Sequence, residues 1–317
     1  MKENDDTKQA LPFKDKINKT TIHPGEWIEQ WKNDRGYVLA YSKYKTKKTK
    51  TCILFVHGGG FNKNQPRDPE YNALCYYLTH GTGYDTYCPD YTLAPNKRYP
   101  SQIVEILSIA EELSKTYKHI IIGGDSAGGT IALQAALVKP QLFYSGFLLS
   151  AWIDLDGKYT HSYYTRAWNQ KVKSGDPIFK EAPKKNIKDS KEEALTYLGE
   201  KELLDNPLAN PILATTEMLA KLPPFIMFIG DNEVIRDGTL KLAGRAQKVH
   251  DSIFCYLYEG MWHDWLLYSQ NTATVKGPHA QNVLIEFCKS KKRDNKMHFS
   301  YQPHNDEVTT VNCNIVI

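Results

Sequence analysis

The sequence predicts an α/β fold, with a mostly parallel central sheet and helices on both faces. Short apolar runs typical of buried strands alternate with segments of helical periodicity. One such run, residues 119–122, leads almost directly into the alanine-rich helical run 129–138. At 317 residues the chain can bury a large core without needing disulfides or metals.

The predicted elements follow one another in a regular order. Their apolar spacing and their glycine and proline boundaries predict strands at 52–56, 86–89, 119–123, 146–150, 225–229 and 253–258. The same criteria predict helices at 69–79, 100–117, 129–138, 238–249 and 278–288. A tryptophan-bearing amphipathic segment, residues 23–32, predicts a further short helix.

The regular order is interrupted once, between Asp156 and Asn206. This stretch is polar, rich in lysine and dotted with aromatics, and it is too long for a structureless loop in a compact domain. We therefore expect one domain over residues 46–290, with a helical cap inserted at about 156–205. Residues 291–317 form a polar C-terminal tail, for which a flexible tail and an edge strand both remain open.

Composition and charge exclude several classes of protein. Apolar residues make up 41% and charged residues 24%, which is ordinary for a globular enzyme. The basic runs 43–50 and 289–293 lack any recognition-module pattern, so no nucleic-acid partner is expected. Residues 1–14 lack the apolar core of a secretory signal, and no apolar run approaches ~18 residues. We expect a cytoplasmic protein without stable membrane insertion, and its oligomeric state stays open.

The six cysteines do not indicate a metal centre. They are widely separated, and the sequence contains no Cys-x-x-Cys pair and no other metal-ligand spacing. A chain of this size does not need disulfides for stability. We therefore expect neither a metal nor any other cofactor.

The pentapeptide 124–128 (GDSAG) has the pattern of a nucleophile elbow. Ser126 lies between glycines where a strand turns sharply into a helix, which exposes the serine hydroxyl and permits close strand–helix approach. The start of a helix also favours developing negative charge. The pattern alone also arises by chance, so the assignment depends on partners for the serine.

A serine needs a histidine base and an acid that orients it, in the chain order serine, acid, histidine. His263 directly follows a predicted strand in a glycine-bearing loop, a setting that the other downstream histidines lack. Glu233 is the preferred acid, because it lies three residues beyond Gly230, the glycine at the end of the predicted strand 225–229. Asp231 remains open as a competitor, although capping of a loop or helix suits it better, and Asp237 is a more distant third.

The run 57–61 (HGGGF) follows the predicted strand 52–56. Successive glycine N–H groups can form a backbone nest for an anion, as an oxyanion hole requires. A phosphate-binding loop is excluded because no Gly-Lys-Ser/Thr follows. We expect His57 to anchor this loop by hydrogen bonding and not to act as a base.

Together these motifs resemble the hormone-sensitive-lipase-like family of α/β-hydrolases, over roughly residues 50–290. The resemblance is carried by HGGGF (57–61), PDYTLAPNKRYP (89–100), GDSAGG (124–129), NPLANP (206–211), LPPFIMFIGDNEVIRD (222–237) and GMWH (260–263). It implies an oxyanion hole formed by the N–H groups of Gly59, Gly60 and Ala127, and a cap to which residues 1–45 contribute. Thr92 departs from the arginine usual in this family, and Glu233-Val-Ile departs from the common Asp-Pro-Leu.

The resemblance implies a serine carboxylic ester hydrolase for short-chain acyl or small aromatic esters. Ser126 would attack the ester, His263 would be the general base and then acid, and Glu233 would orient it. The expected partner is a small-molecule ester, with no cofactor. An amidase or deacetylase, including a kynurenine-formamidase-like hydrolase, remains an alternative. A non-catalytic ligand-binding receptor of the same fold is disfavoured because His263 is present.

Overall fold

A computed structural model describes the sheet, the helices around it and part of the cap insertion. The described residues are 27–33, 36–41, 49–159, 183–258, 260–271, 276–293, 296–297 and 311–312. The middle of the predicted cap, residues 160–182, lies outside them, as do residues 1–26.

The described strands form one large sheet and one short hairpin. They are β1 (Trp27–Asn33), β2 (Gly36–Tyr41), β3 (Thr51–Val56), β4 (Asp85–Asp90), β5 (His119–Asp125), β6 (Ser145–Leu149), β7 (Phe225–Gly230), β8 (Ile253–Tyr258), β9 (Lys292–Arg293), β10 (Lys296–Met297) and β11 (Val311–Asn312). The sheet order is β1-β2-β4-β3-β5-β6-β7-β8-β11, and β9 pairs with β10. The six strands from β4 to β8 run parallel, while β1, β2 and β11 are antiparallel additions at the edges.

The helices connect the parallel strands. They are α1 (Pro69–Thr82), α2 (Ser101–Ser114), α3 (Ser126–Val138), α4 (Pro183–Leu198), α5 (Thr216–Ala220), α6 (Arg236–Ala246) and α7 (Lys276–Lys289). Short 3-10 turns occur at Pro140–Leu142, Lys201–Asp205, Pro211–Leu213 and Trp265–Asn271. Among the described helices, none combines the length and the apolar character needed to span a bilayer.

The core lies on both faces of the sheet, as alternation along a doubly covered strand requires. In β3, Leu54 and Val56 pack on the same side as α2, α3 and α6. Ile53 and Phe55 pack on the other side, against α1 and α7. All four side chains are fully buried. The prediction of a parallel α/β sheet with helices on both faces is confirmed.

Two regions of the chain add strands at the sheet edges. The short helix predicted over residues 23–32 is wrong for residues 27–32, since β1 pairs with β2, which in turn pairs with β4. Hydrogen bonding to the sheet edge overrides the local helical pattern there. In the C-terminal tail, β11 pairs with β8 and is an edge strand. The contribution of residues 1–45 to a cap stays a prediction.

Candidate active site

The nucleophile candidate lies at the junction of β5 and α3. Ser126 has a φ of 46°, in the left-handed region that non-glycine residues rarely occupy. Gly128 allows α3 to approach β3 closely, because a Cβ at this position would lie only 2.1 Å from the Val56 carbonyl oxygen. The geometry therefore has both features of a nucleophile elbow, a strained serine and a close strand–helix contact.

The glycine loop predicted as the oxyanion hole lies directly against this elbow. The Gly58 N–H donates to Asp125 Oδ1 at 2.8 Å, which ties the loop to the residue preceding the serine. Gly59 and Gly60 have φ values of 102° and 60°. A positive φ at both positions explains the glycines, because residues with a Cβ rarely adopt it. Ala127, which follows Ser126, lies in the first turn of α3.

His57 anchors the loop in the way the sequence predicted. Its Nδ1–H donates to the Gly58 carbonyl at 2.9 Å, and its ring stacks on Tyr91 with centroids 4.4 Å apart. Tyr91 O–H also donates to the His57 carbonyl at 2.9 Å. Burial lowers the pKa of His57 to about 4, so the ring stays neutral near pH 7. Its role is to hold the loop backbone.

The structure brings His263 to the serine hydroxyl. His263 Nε2 lies 2.9 Å from Ser126 Oγ, and both residues are buried, with exposures of 3% and 8%. The histidine sits in the loop after β8, at the same carboxyl edge of the sheet as the elbow. Parallel strands place their carboxyl ends along one edge, which explains how residues 137 positions apart meet.

Glu233 occupies the other side of the same ring. Its Oε2 lies 3.4 Å from His263 Nδ1, and its side chain is fully buried. Its Oε1 accepts 2.6 Å hydrogen bonds from Ser150 Oγ and from the Gly230 N–H. Burial raises the pKa of Glu233 to about 7, against the lowering effect of His263 and of these hydrogen bonds. The three predicted residues Ser126, His263 and Glu233 thus form one hydrogen-bonded line.

The two rival carboxylates have other contacts. Asp231 Oδ1 accepts the Gly260 N–H at 2.6 Å and thereby fixes the start of the histidine loop. Asp237 lies in the first turn of α6, where its Oδ1 is 3.1 Å from Arg236 Nε. Asp231 therefore caps a loop, as position had suggested, and the acid in contact with His263 Nδ1 is Glu233.

Three polar residues of the site were missed from the sequence. Ser150, with a φ of 45°, bridges the acid and the histidine loop: it donates to Glu233 and accepts the Asp264 N–H at 3.1 Å. Tyr71 on α1 donates to Asp125 Oδ2 at 3.1 Å. Asp264 Oδ2 lies 3.1 Å from His263 Nε2. The available signals were weak, since Ser150 merely follows a strand and Asp264 merely follows the histidine.

The described part of the cap insertion rests on the glycine loop. Tyr197 of α4 stacks on Phe61 with centroids 3.9 Å apart and an interplanar angle of 5°. Lys63 Nζ is 2.9 Å from Glu193 Oε1, which joins the same helix to the end of the loop. Helix α4 therefore packs on the glycine loop that follows β3. The remaining extent of the predicted cap stays a prediction.

Comparisons with known proteins agree with this architecture. A family profile described as α/β-hydrolase fold matches residues 53–267. An esterase of Acinetobacter venetianus is 28% identical over 258 residues, covering 79% of this chain and 78% of the relative. An esterase of Gibberella moniliformis is 30% identical, covering 78% of this chain and 76% of the relative.

Solved structures show the same fold. An esterase from the bacterial hormone-sensitive lipase family superposes with a TM-score of 0.71 at 20% sequence identity, covering 91% of this chain and 92% of that one. The family profile covers well over half of the present chain, and the motifs that carry the resemblance lie within or beside it. The chain therefore belongs to the α/β-hydrolases, as its sequence motifs predicted.

Proposed function

We propose that this protein is a serine carboxylic ester hydrolase that works through an acyl-enzyme. The observation that carries the proposal is the contact of His263 Nε2 with Ser126 Oγ at 2.9 Å, with Glu233 on the opposite ring nitrogen. A serine hydroxyl becomes a competent nucleophile when a base of this kind can take its proton. The esterases among the relatives support the same reaction class.

The reaction follows from the positions of these three groups. Ser126 Oγ forms a bond to the ester carbonyl carbon while its proton passes to His263 Nε2, and the carbonyl electrons move to oxygen. When this intermediate collapses, the bond to the alcohol breaks and the alcohol takes the proton from Nε2. Water then repeats the two steps on the acyl-enzyme and releases the acid. Glu233 holds the ring orientation and stabilises its cation in each step.

The oxyanion is assigned to the N–H groups of Gly59, Gly60 and Ala127. The glycine loop contacts the elbow, and Ala127 directly follows Ser126 in the first turn of α3, where backbone N–H groups lack intrahelical partners. Donors fixed by the fold need little reorganisation as charge develops. Close contact of the loop with the elbow, through Gly58 and Asp125, supports this assignment.

Two apolar side chains near the triad in the sequence support binding of an acyl group. Trp152 donates its backbone N–H to the Ser126 carbonyl at 2.9 Å, and Val234 follows the acid directly. Apolar lining favours the hydrocarbon part of an ester. We propose a preference for short acyl groups, as the resemblance implies.

The experiment that tests this proposal is a substrate series. We expect hydrolysis of nitrophenyl esters with kcat/KM highest for acetate to butyrate and falling for longer chains. An acyl anilide and N-formylkynurenine extend the series to the amidase and formamidase alternatives, so faster turnover of either would replace the ester assignment. Absence of turnover on every substrate, with the fold intact, would favour a ligand-binding role and contradict the proposal.

A further inference from the structure

A second carboxylate contacts the histidine on the side of the reacting nitrogen. Asp264 Oδ2 lies 3.1 Å from His263 Nε2, closer than the 3.4 Å that separates Glu233 from Nδ1. Nε2 is therefore shared between Ser126 Oγ and a carboxylate oxygen. The minimal triad requires Glu233 on Nδ1 but nothing charged at this nitrogen.

The contact is attractive only when Nε2 carries a proton, and with Glu233 holding a proton on Nδ1 that state is the imidazolium. A neutral ring that carries its proton on Nδ1 presents a lone pair at Nε2, which repels a carboxylate oxygen at hydrogen-bond distance. A ring protonated on both nitrogens donates from Nε2 and places a cation between Asp264 and Glu233. Charge-assisted hydrogen bonds of this kind are stronger than neutral ones.

The backbone holds Asp264 in this position. Its φ of 56° is left-handed, a conformation that aspartate and asparagine tolerate better than most residues. Its N–H donates to Ser150 Oγ at 3.1 Å, and its carbonyl accepts the Leu267 N–H at 3.0 Å. The side chain is largely buried, and within the described part of the chain its Oδ1 has no hydrogen-bond partner. The carboxylate is thus preorganised and poorly solvated.

The titratable groups that face this pair from the surrounding elements are acids. They are Glu233 from the loop after β7, Asp125 from β5, Tyr71 from α1 and Tyr268 from the Trp265–Asn271 turn. Burial lowers the pKa of His263, but the Asp264 and Glu233 carboxylates outweigh this and raise it well above its ordinary value of 6.5. For Asp125, burial first and the Asp264 charge second raise the pKa well above 3.8.

We propose that Asp264 is a second carboxylate partner of His263, which binds the protonated ring through Nε2 and sets the pH range in which Ser126 can be activated. This inference rests on the proposed function. In the resting enzyme the contact favours the imidazolium, which cannot accept the serine proton. Once the base is neutral, the same contact stabilises the imidazolium that forms when the proton passes from Ser126 Oγ to Nε2.

The inference predicts two opposite effects of the Asp264→Asn variant. Removing a contacting charge typically shifts a pKa by about 1–3 units, so the acid limb of kcat/KM should move to lower pH by about one unit or more. The weaker base should also lower the alkaline plateau of kcat, by roughly 3- to 10-fold. Asparagine suits the left-handed backbone, and Asp264→Gly provides a second variant compatible with it.

The control is Asp251→Asn. Asp251 is exposed and precedes the amino end of β8. Its substitution by asparagine therefore removes an equal charge at the sheet edge opposite to the site. We expect its pH profile to coincide with that of the wild type. A profile of Asp264→Asn that also coincides, with the same plateau, would overturn the inference.

The rate at which a fluorophosphonate labels Ser126, measured against pH in each variant, separates the two proposals. Wild-type labelling with an acid limb that moves in Asp264→Asn supports both. If Ser126 is labelled with the same pH dependence in the wild type and in Asp264→Asn, the esterase proposal stands and the role of Asp264 is contradicted. No labelling of the folded wild type at any pH contradicts the proposed function itself.

Discussion

Ser150 offers the sharpest test of how the acid is held. Its hydroxyl donates to Glu233 Oε1 at 2.6 Å and accepts the Asp264 N–H at 3.1 Å, and the side chain is 2% exposed. The substitution Ser150→Ala removes both hydrogen bonds in a place with little access to water. The substitution therefore removes one contact that positions Glu233 and one that positions the loop carrying His263.

The expected magnitude follows from these two bonds. A hydrogen bond to a charged group contributes about 1.5–3 kcal/mol, and a buried N–H left without an acceptor costs about 1–3 kcal/mol. The variant should lose roughly 3 kcal/mol or more of unfolding free energy, which a domain of ordinary stability survives. If the bond to Glu233 is lost in full from the transition state, kcat/KM falls about 10- to 150-fold.

The pH dependence of this loss has a definite sign. The Ser150 hydrogen bond lowers the pKa of Glu233, which burial raises to about 7. Without the bond the pKa rises further, so the acid stays protonated to higher pH and the acid limb of kcat/KM moves up. The loss of stability should be larger above pH 7, where the folded enzyme must hold the carboxylate charged, than near pH 4.5.

The matched control for this variant lies at the start of β6, the strand that Ser150 follows. Ser145 is fully buried at the start of β6, and among the described residues its Oγ has no hydrogen-bond partner. We expect Ser145→Ala to keep wild-type kcat/KM and to be neutral or slightly stabilising in urea unfolding. Wild-type kinetics and stability in Ser150→Ala, or equal losses in the two variants, would refute the reasoning.

Two further predictions concern the acid and the glycine loop. Glu233→Gln should lower kcat/KM by about 10³- to 10⁴-fold, as expected for a triad acid, whereas Asp231→Asn, which weakens the bond to the Gly260 N–H and leaves the Glu233–His263 contact in place, should stay within about tenfold. The reverse ranking, measured on nitrophenyl acetate, would move the acid to Asp231. Tyr71→Phe removes a hydrogen-bond donor to Asp125 Oδ2, worth about 0.5–1.5 kcal/mol, and should lower kcat by up to about tenfold with little change in KM. An unchanged kcat would show that this contact does not position the glycine loop.

Much of the fold was predictable because its signals are local. Apolar strands such as 52–56 and 225–229 are buried on both faces and therefore appear in the sequence as continuous apolar runs. The elbow and the glycine loop were predictable because strained backbone restricts the residue types. The edge strand Trp27–Asn33 was missed because its structure depends on pairing with the next strand, which in turn pairs with β4, and the apolar spacing of the segment does not record that pairing.

Within the site, predictability followed chain position. Ser126, Glu233 and His263 each follow a strand in the order that the fold requires, so the sequence identified the residues that meet in the structure. Ser150 and Asp264 act through contacts between separate loops at the sheet edge. The residues next to them in the sequence form no motif that predicts those contacts, and only the three-dimensional arrangement shows them.

The central claim is that Ser126 is the nucleophile of an acyl-transfer reaction. Its most direct test is intact-mass analysis after reaction with a fluorophosphonate, followed by peptide mapping. We predict one adduct per chain, located on Ser126, complete loss of esterase activity in step with labelling, and no adduct in Ser126→Ala. An unlabelled but folded wild-type protein, an adduct on a different residue, or esterase turnover retained by Ser126→Ala would contradict the claim.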